Sequence, residues 1–321
     1  MLLLWVETDR GVNMELATQA DCTKKSTLYA GRNSSAGFYD RVTRYLFLAC
    51  AVLMTVLIVS IVLFVGKQGI KTFQAVSFAE FFTSTQWQPD AGKFGALTFI
   101  FGTFALTGLT ILLGGPLALA GAVFMAKVAP GWLREILKPA IELFVGIPSV
   151  VYGLVGMTVV IPKIGEYLTP PGYGLLAAAI VLSIMILPTV LSVSEDALRS
   201  LPSTLEEASY ALGATRWQTI WRVLIPAAMP GILTAIILGM ARAIGETMAV
   251  LMVIGNSPQF PKSLTVPTSV LTTEIILEMG HTPFGSAWNN ALFLMALVLL
   301  LVTLSLILIV RFVGKRRGFA Q

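Results

Sequence analysis

Between Arg44 and Lys67 the chain runs YLFLACAVLMTVLIVSIVLFVG without one Asp, Glu, Lys or Arg. A helix rising 1.5 Å per residue needs about 20 apolar residues to cross bilayer hydrocarbon. Six stretches meet that length, at roughly 45–65, 95–126, 139–161, 173–193, 227–254 and 289–310. Inside lipid a backbone must satisfy its own polar groups, so runs of this kind can only be helices. The expectation is an all-α polytopic membrane protein with six transmembrane helices. The composition agrees: 56% hydrophobic residues, 12% charged and a mean hydropathy of +0.82 exclude a soluble globular core. The second run carries no charge between Lys93 and Lys127, more than a bilayer requires. It must tilt, protrude, or break near Gly114, Gly115 and Pro116.

Charge sets the orientation. The net charge of +5 sits in short clusters beside apolar runs rather than along one polar face, which argues against nucleic acid as a partner and for topology signals. With the N-terminus inside, sixteen Lys and Arg fall on the cytoplasmic side and five on the other, and Arg242 alone lies within a span. Both termini are then cytoplasmic, and the chain is multi-pass in membrane lipid. The organisation read from this pattern is a poorly ordered tail over 1–38, a first span with an external loop over 39–94, a five-span core over 95–315 and a basic tail over 316–321. Met14 offers a second start, and Cys22 and Cys50 predict no disulfide.

The core contains a long cytoplasmic loop at 195–226, patterned as two short helices. Leu205, Ala208 and Leu212, then Trp217, Ile220, Trp221 and Leu224, recur at helical spacing on either side of Gly213. Ser203 or Thr204 is placed to cap the first helix, with Glu206 and Glu207 in its first turn. Pro226 and Pro230 are expected to end the element. A compact knuckle of this kind suits a groove on another protein.

The chain has no G-x-x-x-x-G-K-[ST] loop to cradle a nucleotide, and its single histidine, His281, belongs to no H-E-x-x-H zinc motif. No cofactor is expected in this chain, no metal and no catalytic residue. What stands out is charge inside the bilayer, where an arginine costs at least about 2.5 kcal/mol. Arg242 and Glu246 lie four residues apart in the fifth span, on one face if the helix is continuous. A guanidinium fork suits a tetrahedral oxyanion, with Glu246 tempering its attraction. Alternatively the two form a self-neutralised pair that only fixes packing. Glu142 opens the third run, followed by Gly146, Ile147, Pro148 and Ser149. A proline break there would free backbone groups along a pathway, with Ser149 and Tyr152 offering hydroxyls. Equally, Glu142 would pair with a base at the interface and Pro148 would only bend the helix. After the fifth span, TSVLTTEIILEMG patterns as a short amphipathic helix lodged at the membrane interface, with Glu274 and Glu278 facing away from Val270, Leu271, Ile275 and Leu277.

The loop carries a family pattern. Glu207, Ala208, then Gly213, nine residues, and Val223-Leu224-Ile225-Pro226 resemble the EAA loop of ABC importer permeases, with Ser209, Val223 and Ile225 departing conservatively from it. RAIGETMAVLMVIGN and ELFVGIPSVVYGL are similar to the PstC-type permeases of phosphate ABC importers, and the likeness covers nearly all but the first 38 residues. The resemblance implies an ABC type I importer permease (MetI-like) fold in a bacterial inner membrane, importing inorganic phosphate by alternating access. It implies substrate-pathway roles for Arg242 and Glu246, to which the reading of the residues themselves adds Glu142, Ser149 and Tyr152 as candidates, and ATPase coupling through Glu206, Glu207, Ala208, Leu212, Gly213, Ala214 and Pro226. The partners it implies are a PstA-like second permease, a dimer of PstB-like subunits binding ATP and Mg, and a PstS-like external phosphate-binding protein. The sister PstA-like subunit, or a permease for sulfate or molybdate, is the nearest alternative. An ion-coupled secondary transporter would leave the loop unexplained, and an intramembrane enzyme would need a nucleophile and base that are not evident.

Overall fold

The computed structural model describes residues 33–317. The expected tail therefore lies outside the described residues up to position 32, as do the last four residues of the basic tail. Among the described residues six helical stretches are long and apolar enough to span a membrane: Arg41–Gln74, Leu97–Val128, Ser149–Tyr167, Leu175–Arg199, Arg216–Gly245 and Ala287–Ile309.

The first helix, α1, runs Asn33–Ile70. The chain to Leu63 forms one compact unit and Phe64–Gln321 another. Within the first unit α1 exposes its apolar side chains, Leu46, Phe47 and Leu53 among them, as a helix meant for lipid would. Within the second unit, the last turns of α1 precede a small cap: helix α2 (Phe78–Thr83) and a hairpin of β1 (Trp87–Gln88) and β2 (Lys93–Phe94). The strands pair antiparallel, Trp87 opposite Phe94.

The spans that follow are α3 (Leu97–Val123), α7 (Leu175–Arg199) and α10 (Ile225–Gly245), with α13 (Ala287–Arg317) closing the chain. Between them lie α4 (Gly131–Gly146), α5 (Ser149–Val155) and α6 (Ile161–Tyr167). The connecting loop holds α8 (Ser203–Ala211) and α9 (Arg216–Thr219), and α11 (Met248–Val253) and α12 (Leu271–Met279) follow α10. At the centre is α7, whose Ala178, Leu182, Ile186, Val190 and Leu198 are fully or almost fully buried. Lipid is as apolar as leucine, so helices in a bilayer gain most from close approach at small residues. At Gly114 on α3 a Cβ would lie 3.1 Å from the Ser183 carbonyl of α7. Ser183 Oγ donates across the same contact to the Thr110 carbonyl at 3.1 Å. A second apolar cluster gathers Phe81, Trp87, Phe94, Phe99, Leu271, Leu292 and Met295, joining the cap to α3, α12 and α13.

Two expectations about the spans are corrected, and of the three alternatives for the second span the break is excluded. Pro116 does not break the second: α3 continues through it to Val123 and ends in a π turn at Phe124–Val128. The third is shifted. Residues 139–146, expected inside it, belong to α4, a separate helix with no buried residue. The span itself starts at Ser149, because Ile147 and Pro148 are extended (ψ 127° and 138°), the conformation that a proline imposes on the residue before it. The fifth ends at Gly245 rather than near 254.

π turns also occur at Gly156–Val160 and Ile220–Leu224. Each of the three described is followed within two residues by a proline: Pro130, Pro162 or Pro226. A proline has no N–H to give and crowds the carbonyl four residues back, and a wider turn moves that carbonyl aside.

Candidate functional site

Arg242 stands three residues before the end of α10, half-buried, with Nη1 donating to Thr189 Oγ1 of α7 at 3.2 Å. It also lies within electrostatic reach of the Tyr152 phenol on α5. Two spans thus meet at a charged group within a helix of membrane-spanning length. Thr189 was not anticipated; its position directly after Pro188, as a hydroxyl in an apolar span, is the signal that sequence reading passed over.

Glu246 does not lie one helical turn beyond Arg242, and no ion pair joins them among the described residues. Its backbone is extended (φ −72°, ψ 131°), so α10 stops before it. The carboxylate instead accepts the Ala249 N–H at 3.1 Å, satisfying a donor at the start of α11 that would otherwise have no partner. Its carbonyl accepts the Thr272 hydroxyl at 3.1 Å. The expected pair fails because the local backbone donor and the break at Gly245 claim the carboxylate first. The result is a discontinuous helix with irregular backbone inside the bundle, the arrangement that transporters place at substrate sites.

At the other break, the Tyr152 hydroxyl donates to the Phe144 carbonyl at 2.8 Å, filling an acceptor freed at the end of α4. Its proton is therefore directed to the backbone. Glu142 is exposed on α4 in an open, mostly apolar hollow with Leu143, Phe144, Ile147 and Pro148. Ser149 is half-buried at the first turn of α5. Neither makes a hydrogen bond or ion pair among the described residues.

The helix α12 does not lodge at an interface. Leu271, Thr272, Thr273 and Glu274 are all buried. The Leu271 N–H donates to Thr103 Oγ1 of α3 at 3.1 Å, and Thr272 holds Glu246 as described. Hence α12 is wedged into the bundle and clamps the break after α10. The carboxyl of Glu274, only 4% exposed, faces Glu278. Glu278 accepts the indole N–H of Trp87 at 3.1 Å and that of Trp288 at 2.7 Å. Burial, then the Glu278 charge, pushes Glu274 up to about 8 from an ordinary 4.5. The folded chain therefore keeps a proton on Glu274 over an interval in which the unfolded chain has lost it. Stability falls as pH rises through that interval and levels off above about 8. Thermal unfolding of the purified protein measured across this range should show that decline, and Glu274→Gln, which stays neutral, should flatten it.

The knuckle between the fourth and fifth spans is built from α8 and α9. Its first helix begins after Pro202 with no side-chain cap, so neither Ser203 nor Thr204 caps it, while Glu206 does sit in its first turn. Gly213 has φ +79°, a left-handed turn that reverses the chain with open space around it. Thr215 and Gln218 then form a reciprocal capping box at the start of α9. Ser209 and Thr219, both buried, meet at 2.9 Å between the hydroxyls and pin the two helices together. Glu206 pairs with Lys127, and Arg216 donates to the Lys127 carbonyl, tying the knuckle to the end of the second span. Glu207, Ala208 and Leu212 project outward, Leu212 at 89% exposure, and Ala214 is half-buried. Pro226 does not end the element. From Arg216 to Gly245 the helix is continuous, since the π turn at 220–224 accommodates the proline in its first turn.

Residues 118–318 match the family described as the binding-protein-dependent transport system inner membrane component. The chain is 51% identical over 279 residues to a Bacillus subtilis protein described as probable ABC transporter permease protein YqgH, covering 85% of this chain and 90% of that one. It is 34% identical over 311 residues to the phosphate transport system permease protein PstC of Xylella fastidiosa, covering 90% and 94%. Its fold is similar to a chain of a bacterial ABC transporter that imports the acidic polysaccharide alginate, with a TM-score of 0.59 at 19% identity over 88% of this chain and 99% of that one.

Proposed function

Because the chain belongs to the inner membrane components of binding-protein-dependent transport systems, an integral membrane permease subunit of ABC importers, we propose that its cargo is inorganic phosphate, carried as the PstC-type subunit. The observation that carries this reading is Arg242, a permanent positive charge held by Thr189 beside a broken helix, in a chain similar over most of its length to phosphate permeases. Its guanidinium supplies directed donors that fit a tetrahedral oxyanion and replace part of the water lost on entry. The Thr189 oxygen accepts one N–H and aims the rest of the fork. Glu246, at the break, sets a negative charge nearby that keeps the attraction from becoming a trap, while α11 and α12 fix its position. Tyr152 and Ser149 border the same passage at the third span, and Glu142 flanks its entrance.

In this reading the knuckle faces the cytoplasm with both termini, as the distribution of Lys and Arg supports, in a bacterial inner membrane. Partner ATPase subunits, binding ATP and Mg, receive Leu212 and the surface around Glu206, Glu207, Ala208, Gly213 and Ala214, with Pro226 at the root. A PstA-like permease completes the passage, and a PstS-like protein delivers phosphate from outside. Closure of the ATPase pair moves the knuckle and shifts the spans between outward- and inward-open states.

The test is ATP-dependent uptake of labelled phosphate by the reconstituted complex, with sulfate and molybdate as competitors. Phosphate should accumulate and the other two should compete weakly; accumulation of sulfate or molybdate in its place overturns the choice of cargo. Within that assay Thr189→Val should lower uptake about tenfold, the worth of one hydrogen bond to a charged group at ~1.5 kcal/mol. Thr189→Ser, which restores the oxygen, should recover most of it.

A further inference from the structure

A groove of about 360 Å³ runs between the end of the second span and the root of the knuckle, lined by Pro116, Leu119, Val123, Phe124, Trp217 and Trp221, with almost no polar lining. We propose that it is a binding site for one acyl chain of an anionic phospholipid, with the lipid phosphate seated at Arg216 where the apolar lining ends. Several observations select this occupant. From Pro116 to Val128 the wall is thirteen residues of helix, rising about 18 Å, close to the depth of one leaflet of a ~30 Å hydrocarbon layer. Trp217 and Trp221, one turn apart with ring centroids 5.6 Å apart, form the opposite wall and are 64% and 52% exposed. Tryptophans of this kind belong at the level of the headgroups.

The groove is closed at one end by charge. Arg216 donates to the carbonyl of Lys127, and Lys127 pairs with Glu206, so the two walls are bridged where the apolar lining ends at Val128. With Glu206 offsetting Lys127, the charge of Arg216 remains uncompensated at that end. An apolar slot one leaflet deep, ending in net positive charge at a tryptophan belt, matches the two halves of an anionic lipid and no part of a soluble anion. This inference requires the chain to span a membrane and does not depend on its cargo.

Quenching of tryptophan fluorescence tests it. The full chain, purified with its partner subunits, is placed in phosphatidylcholine vesicles containing a minor fraction of either dibrominated phosphatidylglycerol or dibrominated phosphatidylcholine. The signal lost in Trp217→Phe/Trp221→Phe isolates the two groove tryptophans. Brominated phosphatidylglycerol should be enriched at them about fivefold over brominated phosphatidylcholine, the effect of one basic side chain at a membrane surface. Arg216→Gln should reduce that preference, and Arg216→Lys, which keeps the charge, should retain most of it. Equal quenching by the two lipids means ordinary bilayer contact and overturns the proposal. Absence of quenching means that a protein subunit covers the groove and overturns it too. Loss of the preference on adding inorganic phosphate assigns Arg216 to the free ion instead of a lipid headgroup, and the lipid site is then likewise overturned.

Discussion

Arg242→Gln should abolish phosphate uptake, lowering it at least about 100-fold, while the complex still assembles and hydrolyses ATP. The expectation follows from the position of the guanidinium. It is half-buried, its one protein partner is the neutral Thr189 hydroxyl, and no carboxylate is ion-paired with it among the described residues. Removing one member of a buried, hydrogen-bonded charge contact costs about 2–5 kcal/mol. If an anion is the missing partner, that loss falls on transport. Folding should suffer little, because glutamine keeps an amide donor for Thr189 and removes a charge that is expensive in lipid. Arg242→Lys should retain partial uptake, since a point charge attracts the anion without the planar fork. The measurement is uptake beside a thermal stability trace and a pull-down of partner subunits. Wild-type uptake in Arg242→Gln ends the case for this residue. Loss of assembly would make Arg242 a packing residue.

Leu212→Asp should separate the permease from its ATPase. A leucine 89% exposed at the tip of a polar loop is poorly explained by folding and well explained by a pocket on another protein. A carboxylate in such a pocket loses the apolar contact and must also be desolvated, so co-purification of the ATPase should fall at least about 30-fold, the equivalent of ~2 kcal/mol. The substitution leaves intact what holds the knuckle together, namely the Ser209–Thr219 contact, the Thr215–Gln218 box and the Lys127–Glu206 pair. At Gly213 the strain is in the backbone alone, for nothing lies within 4 Å of an added Cβ. Gly213→Val should therefore distort the turn, at a cost of about 1–2 kcal/mol, whereas Gly213→Asn, which tolerates φ +79°, should couple almost normally. Normal coupling in Leu212→Asp would remove the docking role from this surface.

Much of the architecture was legible because lipid imposes a strict rule. Six long apolar runs have few alternatives to six helices, and the turn at Gly213 follows from the one residue that enters the left-handed region freely. What escaped was where helices interrupt themselves. Hydropathy is blind to the difference between a helix and a break within it, so 227–254 read as an unbroken span although the chain turns at Glu246, and the break raised at Pro148 was set inside a span instead of before it. Proline is an ambiguous sign here: Pro116 is absorbed, Pro148 divides two helices, and Pro226 is accommodated by the widened turn before it. The pairing of Arg242 with Glu246 rested on helical continuity and failed with it. Thr189, Thr272 and the Glu274–Glu278 contact depend on packing between segments far apart in the chain, and local pattern carries no trace of that. The period of α12 suggested a surface helix, yet two indole N–H groups and a retained proton let its acidic face go inside.

The unbroken helix from Arg216 to Gly245 has a mechanical implication. Over thirty residues it measures about 45 Å, longer than the hydrocarbon layer is thick, and it carries the docking knuckle's root at one end and Arg242 near the other. A stiff strut of that length has no joint in which a shove at one end can be dissipated, apart from the loosened coil at 220–224. In the proposed mechanism, movement imposed at its foot therefore reaches the guanidinium nearly undiminished, and stroke length at Arg242 is set by geometry instead of by a relay of side chains.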